Sequence, residues 1–210
     1  MKIILASASP RRAQLLTQLG VSFTVMVSGQ AETETGGSPA EVCLINAAIK
    51  AYDIASYLAA SSGDKYAAGR ESVLVLGADT VVAAGGEILG KPKDEADASR
   101  MLHLLSGRTH QVLTGVCAVL LNPENRAFPA SRKLPGSGEI SFADTTDVTV
   151  APMSDTEIEE YIKSREPFDK AGGYGIQGEF AKYIVGIRGD YSNVVGLPAG
   201  RVWRECLALL

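Results

Sequence analysis

Apolar positions along the chain recur in two rhythms, alternate residues in some stretches and every third or fourth in others, so strands interleaved with helices are predicted. The run at residues 2–6 predicts a first strand. Ser9 stands where a helix N-cap is expected, Pro10 fills the first helical position, Leu15, Leu16 and Leu19 give an apolar stripe, and Gly20 ends the helix. A short strand is predicted at 23–27 and a polar turn region at 28–39, followed by a long Ala-rich helix over 39–60 and a loop over 61–70. Residues 71–84 are strongly β-like, and Gly85-Gly86 is a two-residue hairpin signal leading into 87–89. Asp94 can cap a helix running to Leu105 and closed by Gly107, and a long strand is predicted over 110–121.

Residues 122–138 carry Pro123, Pro129 and Pro135 among Gly, Ser and scattered charge, which reads as an exposed insertion inside a hairpin because strand-like sequence resumes at 140–150. Ser154 and Glu157 form a capping box for a helix that ends before Pro167. A Gly-rich stretch at 172–178 precedes a strand at 183–187, and Pro198 opens a last helix to about Leu209. The predicted class is α/β, a mixed twisted sheet flanked by helices in a single domain spanning 1–210.

Three short motifs invite misreading. Gly173 to Gly178 spells GxGxxG, but a strand rather than a helix follows, against the dinucleotide fingerprint. Gly85 to Lys91 matches GxxxxGK, but Pro92 stands where a P-loop needs Ser or Thr. Arg188-Gly189-Asp190 reads as a turn.

Composition narrows the function classes. With 20 basic and 24 acidic residues the formal charge is −4, which disfavours long nucleic acid or an anionic membrane as a partner. Cys43, Cys117 and Cys206 are far apart among apolar residues and read as buried thiols. His103 and His110 are the only histidines, too few for a histidine-rich metal cage. The apolar run behind Met1-Lys2 is shorter than a signal peptide requires, and no apolar stretch approaches the ~18 residues of a membrane span. The chain is expected to be soluble and cytoplasmic.

Against that background, two local features stand out. Arg11 and Arg12 lie in the first helical turn, where the helix dipole disfavours cations by about 0.3–1 kcal/mol each. Either a polyanion sits there, held by free N–H groups, Ser7 and two guanidinium forks, or two solvated arginines tolerate the small penalty. Asp79 stands in an otherwise apolar run from Val73 to Val82. A carboxylate in a central strand is costly unless it is paired, ligates a metal, faces a cleft, or is satisfied by turn amides. Gly77 is read as a bulge that turns Asp79 toward a site. The hairpin at Gly85-Gly86 can return Lys91 alongside Asp79. Lys50 and Glu32, taken alone, read as a solvated helix face and an ordinary surface carboxylate.

Six ordered motifs carry a family resemblance: Leu5-Ala-Ser-Ala-Ser-Pro-Arg-Arg12, Leu76-Gly-Ala-Asp-Thr-Val-Val82, Leu89-Gly-Lys-Pro92, Leu105-Ser-Gly-Arg-Thr-His110, Glu166 to Gly178, and Val194-Val-Gly-Leu-Pro198. They resemble the Maf family of nucleotide pyrophosphatases over nearly the whole chain, with a longer loop at 122–138. The resemblance implies metal-dependent hydrolysis of a nucleoside triphosphate to the monophosphate and pyrophosphate. It also implies an elongated two-lobed fold, related to the inosine triphosphate pyrophosphatases, with a central cleft.

By position, Asp79 matches the family's proton acceptor. Ser7, Arg12, Glu32, Lys50 and Lys91 match its phosphate- and metal-handling residues, with Glu32 and Asp79 as the metal carboxylates. Arg11, Thr80 and Gln177 match positions tied to base choice, and their types resemble the dTTP/UTP branch rather than the 7-methyl-GTP branch. Where the family often has an acidic cluster, this chain reads Gly29-Gln30-Ala31-Glu32, leaving Glu32 as the aligned carboxylate. The implied cofactor is a divalent metal, Mg²⁺ or Mn²⁺, and the implied partner a nucleotide, with no membrane, no stable nucleic-acid partner and a homodimer left open. The alternative is a nucleotide-binding regulator of cell division with weak or no catalysis.

Overall fold

A computed structural model of the chain describes residues 1–33, 37–61, 71–121 and 138–207. β1 (Lys2–Leu5) leads into α1 (Pro10–Gln18), then come the two-residue strand β2 (Thr24–Val25) and the long helix α2 (Pro39–Ala60). Next come β3 (Val73–Ala84), β4 (Glu87–Leu89), α3 (Glu95–Leu105), β5 (Thr109–Leu121), β6 (Glu139–Val150) and α4 (Asp155–Lys163). Three short 3₁₀ turns between Glu166 and Tyr183 precede β7 (Ile184–Arg188), α5 (Tyr191–Val195) and α6 (Ala199–Val202). The seven strands form one mixed sheet in the order β2-β1-β3-β5-β6-β7, with β4 added to β3. β1 runs parallel to β2 and β3, and the other pairs are antiparallel.

The pairing of β3 positions the site. On one edge β5 pairs with it without interruption from Val73 to Ala83. On the other, β1 covers Val73 to Leu76 and β4 resumes at Val82. Between them, residues 77–81 have no strand neighbour on that edge among the described residues, and a cleft opens there.

Alternation then sends successive side chains of β3 to opposite faces. Leu74, Leu76, Ala78 and Val82 join the larger core with Leu16, Leu102 and Ile158 from the helices on that face. Val73 and Val75 pack under α2 with Ala47, Ala51, Ile54 and Leu58.

α2 sits close because two facing glycines let it. A Cβ on Gly77 would fall 2.3 Å from the Ala47 carbonyl oxygen, and one on Gly115 2.4 Å from the Cys43 backbone. The expected bulge at Gly77 is therefore corrected: the β3–β5 register is unbroken, and the glycine serves close approach.

α2 starts at Pro39 behind a Ser38–Glu41 capping box and matches the predicted span. Its length of 22 residues and mean hydropathy of 1.2 would suffice to cross a membrane, against the expectation that no stretch comes near. Here its apolar side is buried on the sheet.

Three other expectations change. Ser9 occupies the N-cap of α1, but its side chain bonds nothing in the helix. The last helix is a single α-turn, α6, widening into a π-turn at Trp203–Leu207, and α5 lies in a stretch with no predicted helix. Of the expected insertion at 122–138, residues 122–137 lie outside the described residues, and the strands flanking it, β5 and β6, pair antiparallel as a hairpin should.

Candidate active site

The gap on β3 opens into a cleft of about 950 Å³, walled by the β1–α1 turn, α2, β3, the β4–α3 connection, the 166–178 turns and Gly196. All nine residues singled out from the sequence line it: Ser7, Arg11, Arg12, Glu32, Lys50, Asp79, Thr80, Lys91 and, from the Gly-rich stretch, Gln177. Asp79 and Thr80 are neighbours on β3 and face opposite sides of the sheet, so the cleft meets a different chemistry on each side.

On the α2 side the centre is Asp79, only 7% exposed. Lys50 Nζ donates to Asp79 Oδ1 at 2.7 Å, and Asn46 Nδ2 donates to Oδ2 at 3.1 Å. Asn46 and Lys50 are four apart on α2, one turn of the same face. Lys50 Nζ also lies 2.7 Å from Glu32 Oε1 and 3.4 Å from the Ala78 carbonyl, so all three ammonium protons are used. Asn46 grips residue 33 from both sides, accepting from its N–H at 2.8 Å and donating to its carbonyl at 2.9 Å, which fixes the chain next to Glu32. Partial burial works against the Glu32 charge. The hydrogen bond from Lys50 and the charges of Lys50, Lys91 and Arg12 outweigh it and hold the carboxyl below its ordinary range.

Arg12 dominates the opposite side at 8% exposure. Its Nε donates to the Gly196 carbonyl at 2.8 Å, one terminal nitrogen to Ser7 Oγ at 3.0 Å and the other to Thr80 Oγ1 at 3.0 Å. None of these partners is charged. Burial lowers the Arg12 pKa, opposed by the charges of Asp79 and Glu32. Gly196, at φ +126°, takes a backbone conformation that favours glycine, although a Cβ there would make only ordinary contacts with Thr80 Oγ1 and Arg12 Nε.

Two arginines in one helical turn thus go separate ways. Arg12 folds back into the cleft wall, whereas Arg11 reaches across to Asp169 at 3.4 Å. Lys91 is exposed on the wall and has no ion pair among the described residues; Lys50, not Lys91, is the cation on Asp79.

Gln177 is exposed at the tip of a loop that is itself tightly held. Glu166 lies beneath that loop, accepting from Tyr161 Oη at 2.9 Å and from the Glu179 N–H at 2.9 Å. A Cβ on Gly178 would strike the Glu166 carboxylate at 2.2 Å. Tyr174 in the same loop is buried, and its hydroxyl lies 2.7 Å from His110 Nε2. Burial pulls the His110 imidazole down to about 4, so it is neutral, and its Nδ1 has no partner among the described residues. The three cysteines are buried, with Cys43 pushed up to about 12 by desolvation, and are inert.

The family model described as Maf-like protein matches residues 2–208. The chain belongs to the Maf family. Its curated relatives include the dTTP/UTP pyrophosphatase of Agathobacter rectalis, 46% identical over 205 residues and covering 97% of this chain and 95% of the relative. Those of Koribacter versatilis (46% identical; 97% and 92% covered) and Carboxydothermus hydrogenoformans (42% identical; 98% and 97% covered) carry the same name. A solved structure of a nucleoside-triphosphatase / dITP/XTP pyrophosphatase from Mycobacterium abscessus overlays partially, with a TM-score of 0.41 at 18% identity, covering 73% of this chain and 76% of that one.

Five of the six Maf motifs quoted from the sequence contribute residues to this cleft; the sixth, Leu105 to His110, does not line it. Asn46, Thr114 and Asn193 are polar residues of this Maf chain that sequence reasoning passed over. For Asn46 the signal is its spacing of four from Lys50. For Thr114 it is a hydroxyl inside an apolar strand, buried completely opposite Thr80.

Proposed function

We propose that this chain hydrolyses nucleoside triphosphates, dTTP and UTP in preference, to the nucleoside monophosphate and pyrophosphate. The observation that carries the proposal is Arg12, a buried guanidinium with no carboxylate partner among the described residues, bonded to Thr80, the strand neighbour of the buried carboxylate Asp79. Buried charges are normally paired, so a guanidinium satisfied only by neutral oxygens is a site waiting for an anion. The names borne by the curated relatives supply the substrate class.

Ser7 accepts from Arg12 at 3.0 Å and from the Ser9 N–H at 3.2 Å, which leaves its own proton free for a phosphate oxygen. Arg11, Arg12 and Lys91 line the same cleft and stabilise negative charge on the departing pyrophosphate. Asp79, oriented by Lys50 and Asn46, takes the proton from a water whose oxygen bonds to the α-phosphorus as the bond to the bridging oxygen breaks.

Glu32 and Asp79 fit a divalent cation. Their oxygens converge on one point, occupied here by the Lys50 ammonium, and carboxylates are the donors Mg²⁺ and Mn²⁺ prefer. Among the described residues no third acidic, histidine or cysteine ligand joins them, so substrate phosphates and water would complete the shell. Such an ion would neutralise phosphate charge and polarise the α-phosphate. A substrate drawn from the nucleotide pool fits a cytoplasmic enzyme.

The test is pyrophosphate release from UTP, dTTP, CTP, GTP and ATP, with and without Mg²⁺ or Mn²⁺, with the product identified. UMP and pyrophosphate from UTP are expected. UDP and orthophosphate would place cleavage at the wrong bond, and binding without turnover would support the regulator reading instead.

A further inference from the structure

Hydrogen-bond direction in the wall behind Thr80 follows from counting protons. A threonine hydroxyl has one proton and two lone pairs. Thr114 is fully buried, and its Oγ1 lies 2.9 Å from the Asn193 carbonyl oxygen and 3.0 Å from Thr80 Oγ1. A carbonyl only accepts, so the Thr114 proton goes to Asn193. The Thr80 contact then needs the proton of Thr80, since two bare oxygens at that distance repel. Thr80 also accepts from Arg12 at 3.0 Å. One lone pair remains to it, and Thr80 lines the cleft.

Asn193 is held just as firmly. It is completely buried, and its Nδ2 donates to the Val112 carbonyl at 3.0 Å and to Thr146 Oγ1 at 3.0 Å. The acceptor that takes the Thr114 proton is therefore fixed in place.

Toward the cleft, then, Thr80 can accept a hydrogen bond and cannot give one. Ser7, on the other arm of the same guanidinium, is its opposite: both described bonds to its oxygen are accepted and its proton is free. An acceptor-only hydroxyl opposes phosphate oxygens, which are acceptors too. It favours a donor, and N3–H of uracil or thymine is one, whereas N3 of cytosine carries a lone pair.

We propose that Thr114 is a positioning residue for base selection: by taking the Thr80 proton it makes Thr80 a reader of the imide N–H, and so sets uracil and thymine apart from cytosine. This rests on the nucleotide reading above.

Thr114→Val keeps the shape and removes the hydroxyl, freeing the Thr80 proton to turn toward the cleft. The ratio of kcat/KM for UTP over CTP is expected to fall at least about tenfold, with dTTP following UTP, because a site that pairs a base edge rejects the mismatched edge strongly. Thr114→Ser should restore the ratio. In the wild type, N3-methyl-UTP, which lacks the imide proton, should be hydrolysed at least about tenfold less efficiently than UTP. This second measurement decides the matter should the valine variant fail to fold.

An unchanged ratio in a folded Thr114→Val protein, an equal loss on UTP and CTP, no rescue by serine, or undiminished turnover of N3-methyl-UTP each overturns the proposal. A wild type that releases pyrophosphate from UTP and CTP alike overturns it too while leaving the pyrophosphatase reading intact. Absence of pyrophosphate release from any nucleotide removes both.

Discussion

Gly115 on β5 stands directly opposite Asp79 on β3, and the missing side chain of the one gives the other its partners. A Cβ at Gly115 would fall 2.4 Å from the carbonyl carbon and oxygen of Cys43 and 2.6 Å from the Leu44 nitrogen, all backbone atoms of α2. Helix backbone does not yield as a flexible side chain would, so the whole element must move away, and with it Asn46 and Lys50.

Gly115→Ala is therefore expected to destabilise the protein by about 1–3 kcal/mol or more, and to lower turnover in the fraction that remains folded. Gly186→Ala on β7, where the nearest atom would be 4.0 Å away, should stay within about 0.5 kcal/mol of wild type. Denaturant midpoints for the two variants, read beside pyrophosphate release, separate a packing effect from a general intolerance of substitution.

Asp79→Asn preserves the shape of the side chain but removes the proposed proton acceptor. Turnover is expected to fall by at least about 10²-fold, the usual contribution of a positioned base, while the thermal midpoint stays near wild type. Rates at saturating UTP together with a melting curve check this, and full activity in the variant would make Asp79 structural.

His110 gives the fold an acid sensitivity of known sign. Its folded-state pKa is lowered by burial to about 4 from an ordinary 6.5, so between these values the unfolded chain binds the proton and the folded chain does not. Stability from this residue is therefore complete above pH 6.5 and declines as the pH falls, by roughly 1.4 kcal/mol for each unit, levelling off below about 4. The nearby charge of Asp147 works in the opposite direction and is already included in that net shift. Unfolding free energies at pH 7 and pH 5 should differ by about 2 kcal/mol more in the wild type than in His110→Gln. Equal differences would mean that the imidazole is solvated.

The sequence exposes the site unevenly, for physical reasons. Asp79 is visible because a lone carboxylate in an apolar strand demands compensation, and the arginines because cations oppose the dipole at a helix start. Lys50 is hidden: on a helix surface a lysine looks solvated, and only the approach of α2 over Gly77 and Gly115 brings it to Asp79. Gly77 misleads for the same reason, since a missing side chain marks a bulge or a close approach equally well until the neighbour is known. α5 is a five-residue turn holding β-branched Val194 and Val195, with no periodicity to betray it. Its carbonyls and that of Gly196 nevertheless anchor Thr114 and Arg12. The resemblance to known sequences reaches Lys50, Glu32 and Gln177, which local chemistry alone leaves unremarkable.

The uninterrupted β3–β5 ladder bears on how the cleft can move. Its two rims hang from opposite ends of one edge of a single strand, β1 at the start and β4 at the finish, and the other edge of that strand is stitched to β5 along nearly its full length. Spreading the rims would require bending a doubly anchored ribbon rather than turning a hinge. On the proposed reading, adjustment to a triphosphate would fall to side chains at the mouth, to Arg11 letting go of Asp169 and to Lys91 and Gln177 moving from exposed positions, while the ribbon resists spreading of the β1 and β4 rims.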